Sequence, residues 1–279
     1  MKIKFLGTAA AEGWPAIFCS CDACNKARML KGKNIRTRSS CLIDDYYMVD
    51  FGADTYMNSL RYGIDLSKLK SVFVTHSHSD HFIPYDFELR YGSYAYIEDR
   101  KPLMIYGNQS VKKLFEDTFK GNDLDGSILF NEIEPYKTYR VDHLDLTPHL
   151  ADHMPDEKCF VYVIQSGKKT LLYGHDSGYY PEETWKNFPK YKFDAVILDC
   201  TLGPTDMDLG PDEVWHGHMG INTDEKVKKR LIKMGSANEN TKFIVTHFSH
   251  NGKLLYDELK DFVSKYGFIV AYDGMEIEI

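Results

Sequence analysis

Four potential metal ligands fall within six residues in Val74-Thr75-His76-Ser77-His78-Ser79-Asp80-His81, the pattern H-x-H-x-D-H at the end of an apolar run. Imidazole is a borderline donor suited to zinc, manganese, iron or nickel, and a carboxylate set among three imidazoles favours a site holding more than one divalent ion. Donors of the same kinds recur after other apolar runs: His153 after the run ending at Leu150, Asp176 after residues 171–174, and His247 after residues 243–246. Polar groups at successive strand ends converge along one edge of a sheet, where a rigid scaffold presents its functional loops. Seven ligands are then available: His76, His78 and His153 for one ion, Asp80, His81 and His247 for a second, and Asp176 able to bridge them. Spacing alone leaves competitors. His143 and His149 compete with His153, and His175 with Asp176, because each could be a hydrogen-bonded loop residue.

Cysteine usage adds a second cluster. Three of the six cysteines, Cys19, Cys21 and Cys24, form a tight C-x-C-x-x-C. Clustered thiols in a reduced compartment suggest metal binding, whereas Cys41, Cys159 and Cys200 sit in apolar surroundings where buried structural thiols are expected.

The elements that must position these groups are mostly strands. Strand-like runs occur at residues 3–6, 41–49, 71–75, 103–106, 139–146, 160–165, 170–173, 195–198, 243–246 and 268–271. Helical spacing covers 111–119, 224–234 after an Asn222 or Thr223 cap, and 254–266, which Gly267 closes. Strands interleaved with helices in both halves predict two sheets face to face with helices outside, a layered α/β sandwich. No linker or repeat divides the chain, so residues 1–279 read as a single domain. The tyrosine-crowded stretch 85–96 and the polar stretch 121–135 resist the periodicity reading and are expected as surface insertions.

Composition sets the class of substrate. A net charge of −7 over 279 residues disfavours nucleic acid as a partner and favours a protein handling small substrates. The run Lys226, Lys228, Lys229, Arg230 and Lys233 is expected as a solvated helix face. No stretch approaches the ~18 apolar residues of a membrane span, and the amino-terminal residues are too short and polar a run for a signal peptide, so a cytoplasmic location with no membrane partner is expected.

The motif H-x-H-x-D-H after a strand, the preceding Val49-Asp50-Phe51-Gly52 and the later strand-end His, Asp and His residues resemble the metallo-β-lactamase superfamily. Within it the chain is similar to the PhnP-like phosphodiesterases of the carbon-phosphorus lyase pathway. That likeness rests on Gly7-Thr8, Cys19-Ser20-Cys21-Asp22-Ala23-Cys24, Leu198-Asp199-Cys200, Gly217-His218 before Asn222-Thr223, Thr246-His247-Phe248-Ser249-His250, and the tail from Asp273 to Ile277. The resemblance implies a four-layer αββα sandwich and a homodimer. It implies that His76, His78, Asp80, His81, His153, Asp176 and His247 hold two divalent ions, zinc or manganese, and that Cys19, Cys21, Cys24 and His250 close a separate structural zinc site. It also implies a non-ligand role for His218 beside the metals, binding a phosphoryl oxygen and returning a proton to the leaving alkoxide, with His216 its nearby rival.

The expected activity is hydrolysis of a small phosphodiester, a cyclic one included, by attack of a metal-bridging hydroxide that Asp80 helps to orient. Three other readings compete. They are an RNA-processing nuclease of the same superfamily, a lactone or thioester hydrolase, and a non-catalytic PqqB-like cofactor-biosynthesis protein, against which the complete ligand set argues. Residues 83–100 and the acidic stretch 202–215, with Asp206, Asp208, Asp212 and Glu213, are expected to flank the pocket, where acidic walls would repel a highly anionic ligand.

Overall fold

Two seven-stranded sheets form among the described residues, which in this computed structural model are 1–120, 122, 124–205 and 216–279. Strands β1 (Lys2–Gly7), β2 (Ser40–Ile43), β3 (Tyr47–Val49), β4 (Ser71–Phe73), β5 (Leu103–Gly107) and β6 (Ile128–Glu132) follow one another across the first sheet. Strands β7 (Tyr139–Val141), β8 (Leu144–Leu150), β9 (Phe160–Ser166), β10 (Lys169–Gly174), β11 (Ala195–Asp199), β12 (Lys242–Thr246) and β13 (Ile269–Val270) do the same in the second. The last strand, β14 (Glu276–Glu278), returns to pair antiparallel with β1. Six helices accompany them among the described residues: α1 (Asp22–Leu30), α2 (Thr55–Tyr62), α3 (Gln109–Thr118), α4 (Glu182–Asn187), α5 (Ile221–Lys233) and α6 (Tyr256–Ser264).

Alternation along the strands builds the layers, because successive side chains leave a strand on opposite faces. Phe5, Ile43, Tyr47 and Phe73 of the first sheet meet Tyr162, Ile164, Tyr173 and Ile197 of the second in a core between the sheets. The intervening Val163, Leu172, Val196 and Leu198 face outward onto Ala27 of α1, Trp185 of α4, Leu231 of α5 and Val263 of α6. Leu42, Met48 and Val72 face the other way, onto a third cluster that contains Val111 of α3 and Phe119. The arrangement is the expected four-layer αββα sandwich. Strands buried on both faces read as continuous apolar runs, which is why β9 to β12 are legible in the sequence.

Several local expectations are revised. Runs 41–49 and 139–146 are each a hairpin and not one strand, because Asp44 (φ 48°), Asp45 (φ 63°) and Asp142 (φ 57°) take the left-handed conformation that Asp tolerates in turns. Stretch 121–135 is not merely a surface insertion, since it supplies edge strand β6, paired parallel with β5. In stretch 85–96, Pro84–Arg90 forms a 3₁₀ helix that buries Phe87 against Phe51. Helix α5 begins at Ile221 with Gly220 as its cap, so Asn222 and Thr223 lie inside the first turn. No helix of the described residues is long and apolar enough to cross a membrane.

One end of this sandwich gathers the chemistry. Strands β10, β11, β12 and β13 are parallel, and β8 is antiparallel to β9, which is antiparallel to β10. Their C-terminal ends therefore share an edge, and Asp176, Asp199, His247 and His153 follow the ends of β10, β11, β12 and β8. Asp50 (φ 62°), Asp176 (φ 56°) and His247 (φ 60°) all lie in the left-handed region, a strain on the order of 1–3 kcal/mol each that packed surroundings must sustain.

Candidate metal centre

The loop after β4 is set by a carboxylate on the neighbouring strand. The Thr75 backbone N and hydroxyl both donate to Asp50 Oδ1, at 2.8 and 2.9 Å, and Asp50 Oδ2 receives His81 Nδ1 at 2.8 Å. With Nδ1 so engaged, Nε2 of His81 is the nitrogen left for a ligand. The device is repeated around the site. Thr75 Oγ1 lies 3.0 Å from His76 Nδ1, Thr201 Oγ1 lies 2.7 Å from His247 Nδ1, and the Gly217 carbonyl lies 3.1 Å from His153 Nδ1. These partners assign the tautomers and hold each ring in place.

Among the described residues three histidine-rich groups have their ligand atoms within 4.8 Å of one another: His76, His78, His153 and Asp176; Asp80, His81, Asp176 and His247; and Asp176, Asp199, His218 and His247. The first two quartets carry the ligands expected from the sequence, and the third overlaps the second at Asp176 and His247. The three imidazoles of the first converge tightly, with His78 Nδ1 2.9 Å from His76 Nε2 and 3.2 Å from His153 Nε2. Asp176 belongs to both of the first two quartets. Its Oδ2 is 2.9 Å from His81 Nε2, 3.3 Å from His76 Nε2 and 3.6 Å from His247 Nε2. The structure thus brings together all seven residues proposed from the sequence as ligands.

The donor set fits divalent cations. His81 Nε2, His247 Nε2 and Asp176 Oδ1 are buried without a hydrogen bond, although they stand among polar neighbours. Asp50, Asp80, Asp176 and Asp199 are all buried, and their only ion-pair partners among the described residues are histidines. Buried carboxylates in that number require positive charge at close range. Burial and the neighbouring His81 lower His76 well below its ordinary range, while for His81 burial is outweighed by Asp50 and Asp80, which raise it well above. For Asp176 burial is likewise outweighed, chiefly by His247 and His81, and the carboxyl is held well below its usual range.

His218 stands beside the quartets, with its Nδ1 3.2 Å from both Asp199 Oδ2 and Asp176 Oδ1. Asp199 is fixed in turn, since its Oδ1 accepts the Thr201 N–H at 2.9 Å and the Met219 N–H at 3.0 Å. Burial works against a charged His218 ring, but Asp199, Asp176 and Asp80 outweigh it and raise the pKa to about 9. The competing histidines lie elsewhere. His216 is exposed and pairs with Asp152 at 3.0 Å. His149 is buried among Tyr136, Phe188 and Tyr191, His143 lies beside Tyr47 and Asp44, and His175 is buried against the rings of His81 and His247 without joining a quartet. Asp206, Asp208, Asp212 and Glu213, expected to wall the pocket, lie outside the described residues.

Sequence reasoning missed the supports: Asp50, Thr75, Asp199 and Thr201, and also Glu157, which accepts the Ser77 N–H at 2.9 Å and Asn108 Nδ2 at 2.7 Å. Only Val49-Asp50-Phe51-Gly52 and Leu198-Asp199-Cys200 carried a signal, as motifs of the family resemblance with no role given to Asp50 or Asp199. Gly52 itself is dictated by close approach, since a Cβ there would stand 2.1 Å from the Asp80 carbonyl oxygen. Gly52→Ala is therefore expected to push the 76–81 loop off its seat and destabilise the protein by about 1–3 kcal/mol, read as a lowered urea midpoint and a loss of bound metal.

At the other cluster, Cys19 and Cys21 place their sulfurs 3.7 and 3.4 Å from His250 Nδ1, and Cys24 completes a quartet whose ligand atoms lie within 4.8 Å. Cys21 caps α1, so the Cys24 N–H reaches its sulfur and lowers its pKa to about 6, while burial pushes Cys24 up to about 11. Three thiolates and one imidazole would complete a saturated tetrahedral shell around an ion such as zinc, a set suited to stapling a loop. His250 lies in the turn just after His247, so one segment serves both clusters. Cys24→Ser is expected to remove one zinc equivalent per chain in metal analysis while the histidine-rich centre keeps its two ions.

A family model described as "Beta-lactamase superfamily domain" matches residues 47–248. Among curated relatives, the ribonuclease Z of Listeria monocytogenes serotype 4a is 28% identical over 158 residues, 55% of this chain and 46% of that protein. The ribonuclease Z of Staphylococcus saprophyticus is 28% identical over 178 residues, 60% of this chain and 57% of the relative. The chain thus spans about half the length of the curated relatives it matches. Among solved structures, a diphosphatase from the PhnP family superposes with a TM-score of 0.74 at 19% identity, covering 100% of this chain and 97% of that one. Zn²⁺-bound PqqB from Methylobacterium extorquens gives 0.72 at 17% identity over 100% of both chains. The short form of human tRNase Z gives 0.67 at 18% identity, covering 100% of this chain and 99% of the other. At these identities the likeness concerns the fold.

Proposed function

Because the chain belongs to the beta-lactamase superfamily, we propose that it is a dinuclear metal-dependent phosphodiesterase that hydrolyses a small diester, cyclic diesters included. The observation that carries this reading is the conjunction of two quartets sharing Asp176 with a non-ligand histidine, His218, anchored on Asp199. His76, His78, His153 and Asp176 would hold one ion, and Asp80, His81, Asp176 and His247 the other, with zinc or manganese suited to the donors. Two divalent ions, when bound, make water a nucleophile at neutral pH and neutralise charge on phosphoryl oxygens.

The chain's own residues supply the rest. Asp80 lies at the cluster's edge, 3.1 Å from His81 Nε2, where its carboxylate can accept a hydrogen bond from the attacking water and orient it. His218 donates through Nδ1 to Asp199, so Nε2 is its free ring nitrogen. Held protonated by that carboxylate, the ring can bind a phosphoryl oxygen and pass a proton to the departing alkoxide. A thiolate leaves without a proton, so a poised acid weighs against a thioester substrate, whereas a lactone's alkoxide would use one and is distinguished by the assay below. The complete ligand set weighs against a non-catalytic role.

A second reading, an RNA-processing nuclease, is favoured by the relatives named ribonuclease Z and tRNase Z. The net charge of −7 weighs against it, as does pairing of the basic face of α5, where Arg230 bonds Glu182 and Lys229 bonds Glu225. The test is a panel assay on protein reconstituted with zinc or manganese, using simple diesters, cyclic nucleotides, cyclic ribose phosphates, an unprocessed tRNA, a lactone and a thioester. Turnover of small diesters is expected. Turnover of carbonyl substrates alone would overturn the reading, and salt-sensitive cleavage of the RNA alone would replace it with the nuclease.

A further inference from the structure

Outside the candidate ligands, two cavities share a wall beneath the tyrosine-rich segment. An apolar groove of about 440 Å³ runs between Phe51, Phe87, Leu89, Tyr96 and Leu103. A polar cleft of about 770 Å³ adjoins it and contains Lys68, Lys70, Lys101 and Arg140. Ser67, Leu69, Arg90 and Ile97 line both. The junction lies at the starts of β4 and β5, beside Ser71 and Leu103, whereas His76 follows the far end of β4. None of the seven candidate ligands lines either cavity, and the groove comes nearest to them at Phe51, whose N–H bonds the His81 carbonyl at 2.7 Å.

Arg90 is the unusual group. Lys68, Lys70, Lys101 and Arg140 are paired with Asp65, Asp142, Asp99 and Asp145 at 3.3, 2.6, 3.1 and 2.9 Å. Arg90 alone of these cations has no carboxylate within ion-pair reach among the described residues. One terminal nitrogen donates to the Lys101 carbonyl at 3.0 Å, and its Nε is buried without a hydrogen bond. An unsatisfied guanidinium N–H at the end of an apolar channel costs free energy that an anionic oxygen would recover. The groove lies within the size range of small-ligand sites, and its mouth is flanked by exposed Tyr56, Leu89 and Tyr96. The four acids around the cleft, Asp65, Glu98, Asp99 and Asp142, oppose a dianion and leave room for one negative charge at Arg90.

We propose that this groove binds a single-chain carboxylate amphiphile, with the chain along Phe87, Leu89 and Tyr96 and the carboxylate on Arg90. A phosphate monoester head would bring a second charge against the acids of the cleft, and a cationic head would meet Arg90 itself. The apolar lining supplies affinity and the guanidinium supplies discrimination by charge.

The test is calorimetric titration of the full-length, metal-loaded protein with decanoate, decanol and decylammonium, all below micelle formation. One decanoate per chain is expected, bound about tenfold or more tighter than either congener, the equivalent of one charge-assisted hydrogen bond. Arg90→Gln should abolish the preference and leave decanol binding unchanged, Arg90→Lys should restore part of it, and Tyr96→Asp should weaken all three. Diester hydrolysis by these variants should be unchanged, which separates this site from the metal centre. Equal binding of decanoate and decylammonium, no uptake of decanoate, or an unaltered preference in Arg90→Gln would overturn the proposal. So would dimers that Tyr96→Asp splits into monomers without any amphiphile uptake, an outcome that assigns the face to a second copy of the chain.

Discussion

Asp176→Ala is expected to lower diester turnover by at least about 10³-fold, the rate equivalent of the several kcal/mol that metal ions contribute to such a transition state. The residue is the only one common to both quartets, and it contacts His81, His76, His247, His153 and His218. Its removal takes a charge from each ion and leaves five imidazoles facing a cavity with no carboxylate at its middle. Metal analysis should therefore show fewer than two ions retained at this centre, and added metal should not restore the rate. The fold should persist, because the ring of supports on Asp50, Thr75, Thr201 and Asp199 does not pass through Asp176. An Asp176→Ala protein with two tightly held ions and near-normal turnover would show that the carboxylate is not a shared ligand.

His218→Ala is expected to cost 10²- to 10⁴-fold, the usual range for a positioned proton donor, and here metal content should not change. That contrast distinguishes the two residues. His218 bonds Asp176 and Asp199 and packs on the rings of His153 and His247, but it belongs to neither of the two quartets proposed to hold the ions, so its removal leaves both ligand sets complete. The defect should shrink with a diester whose leaving group is a good one, such as p-nitrophenolate, since little proton transfer is then needed. Asp199→Asn should reproduce part of the loss, about 10- to 100-fold, because an amide no longer favours the charged ring and its support of His247 Nδ1 also weakens. A uniform loss across leaving groups, or loss of metal in His218→Ala, would make the histidine structural or a ligand.

These residues also mark how far the sequence can be read. The ligands were legible because each terminates an apolar run: buried parallel strands are visible as hydrophobic stretches, and their ends are where polar groups can meet. His76, His78, Asp80 and His81 announced themselves by spacing alone. His153 and Asp176 did not separate from His149 and His175 until the fold placed them, since neighbours on a strand point to opposite faces and register decides which reaches the site. The supports were hidden for a different reason. Asp50 meets His81 across 31 residues, Glu157 meets Ser77 across 80, and Thr201 meets His247 across 46, and an isolated Asp or Thr carries no periodicity. Short edge strands escaped for want of pattern. In β14 two glutamates flank Ile277, and β6 buries only its first residue. Arg90, in a segment expected as a surface insertion flanking the pocket, shows that a polar residue's meaning depends on which partners the fold withholds.

The most direct test of the central claim is a metal titration of the metal-free protein, following hydrolysis of a small diester as equivalents per chain are added. If one equivalent is taken up by Cys19, Cys21, Cys24 and His250 without effect on the rate, diester turnover is expected to rise to its maximum as two further ions bind and then to stay level. Full turnover with a single ion at the histidine-rich centre, or two bound ions with turnover confined to a thioester or lactone, would contradict it.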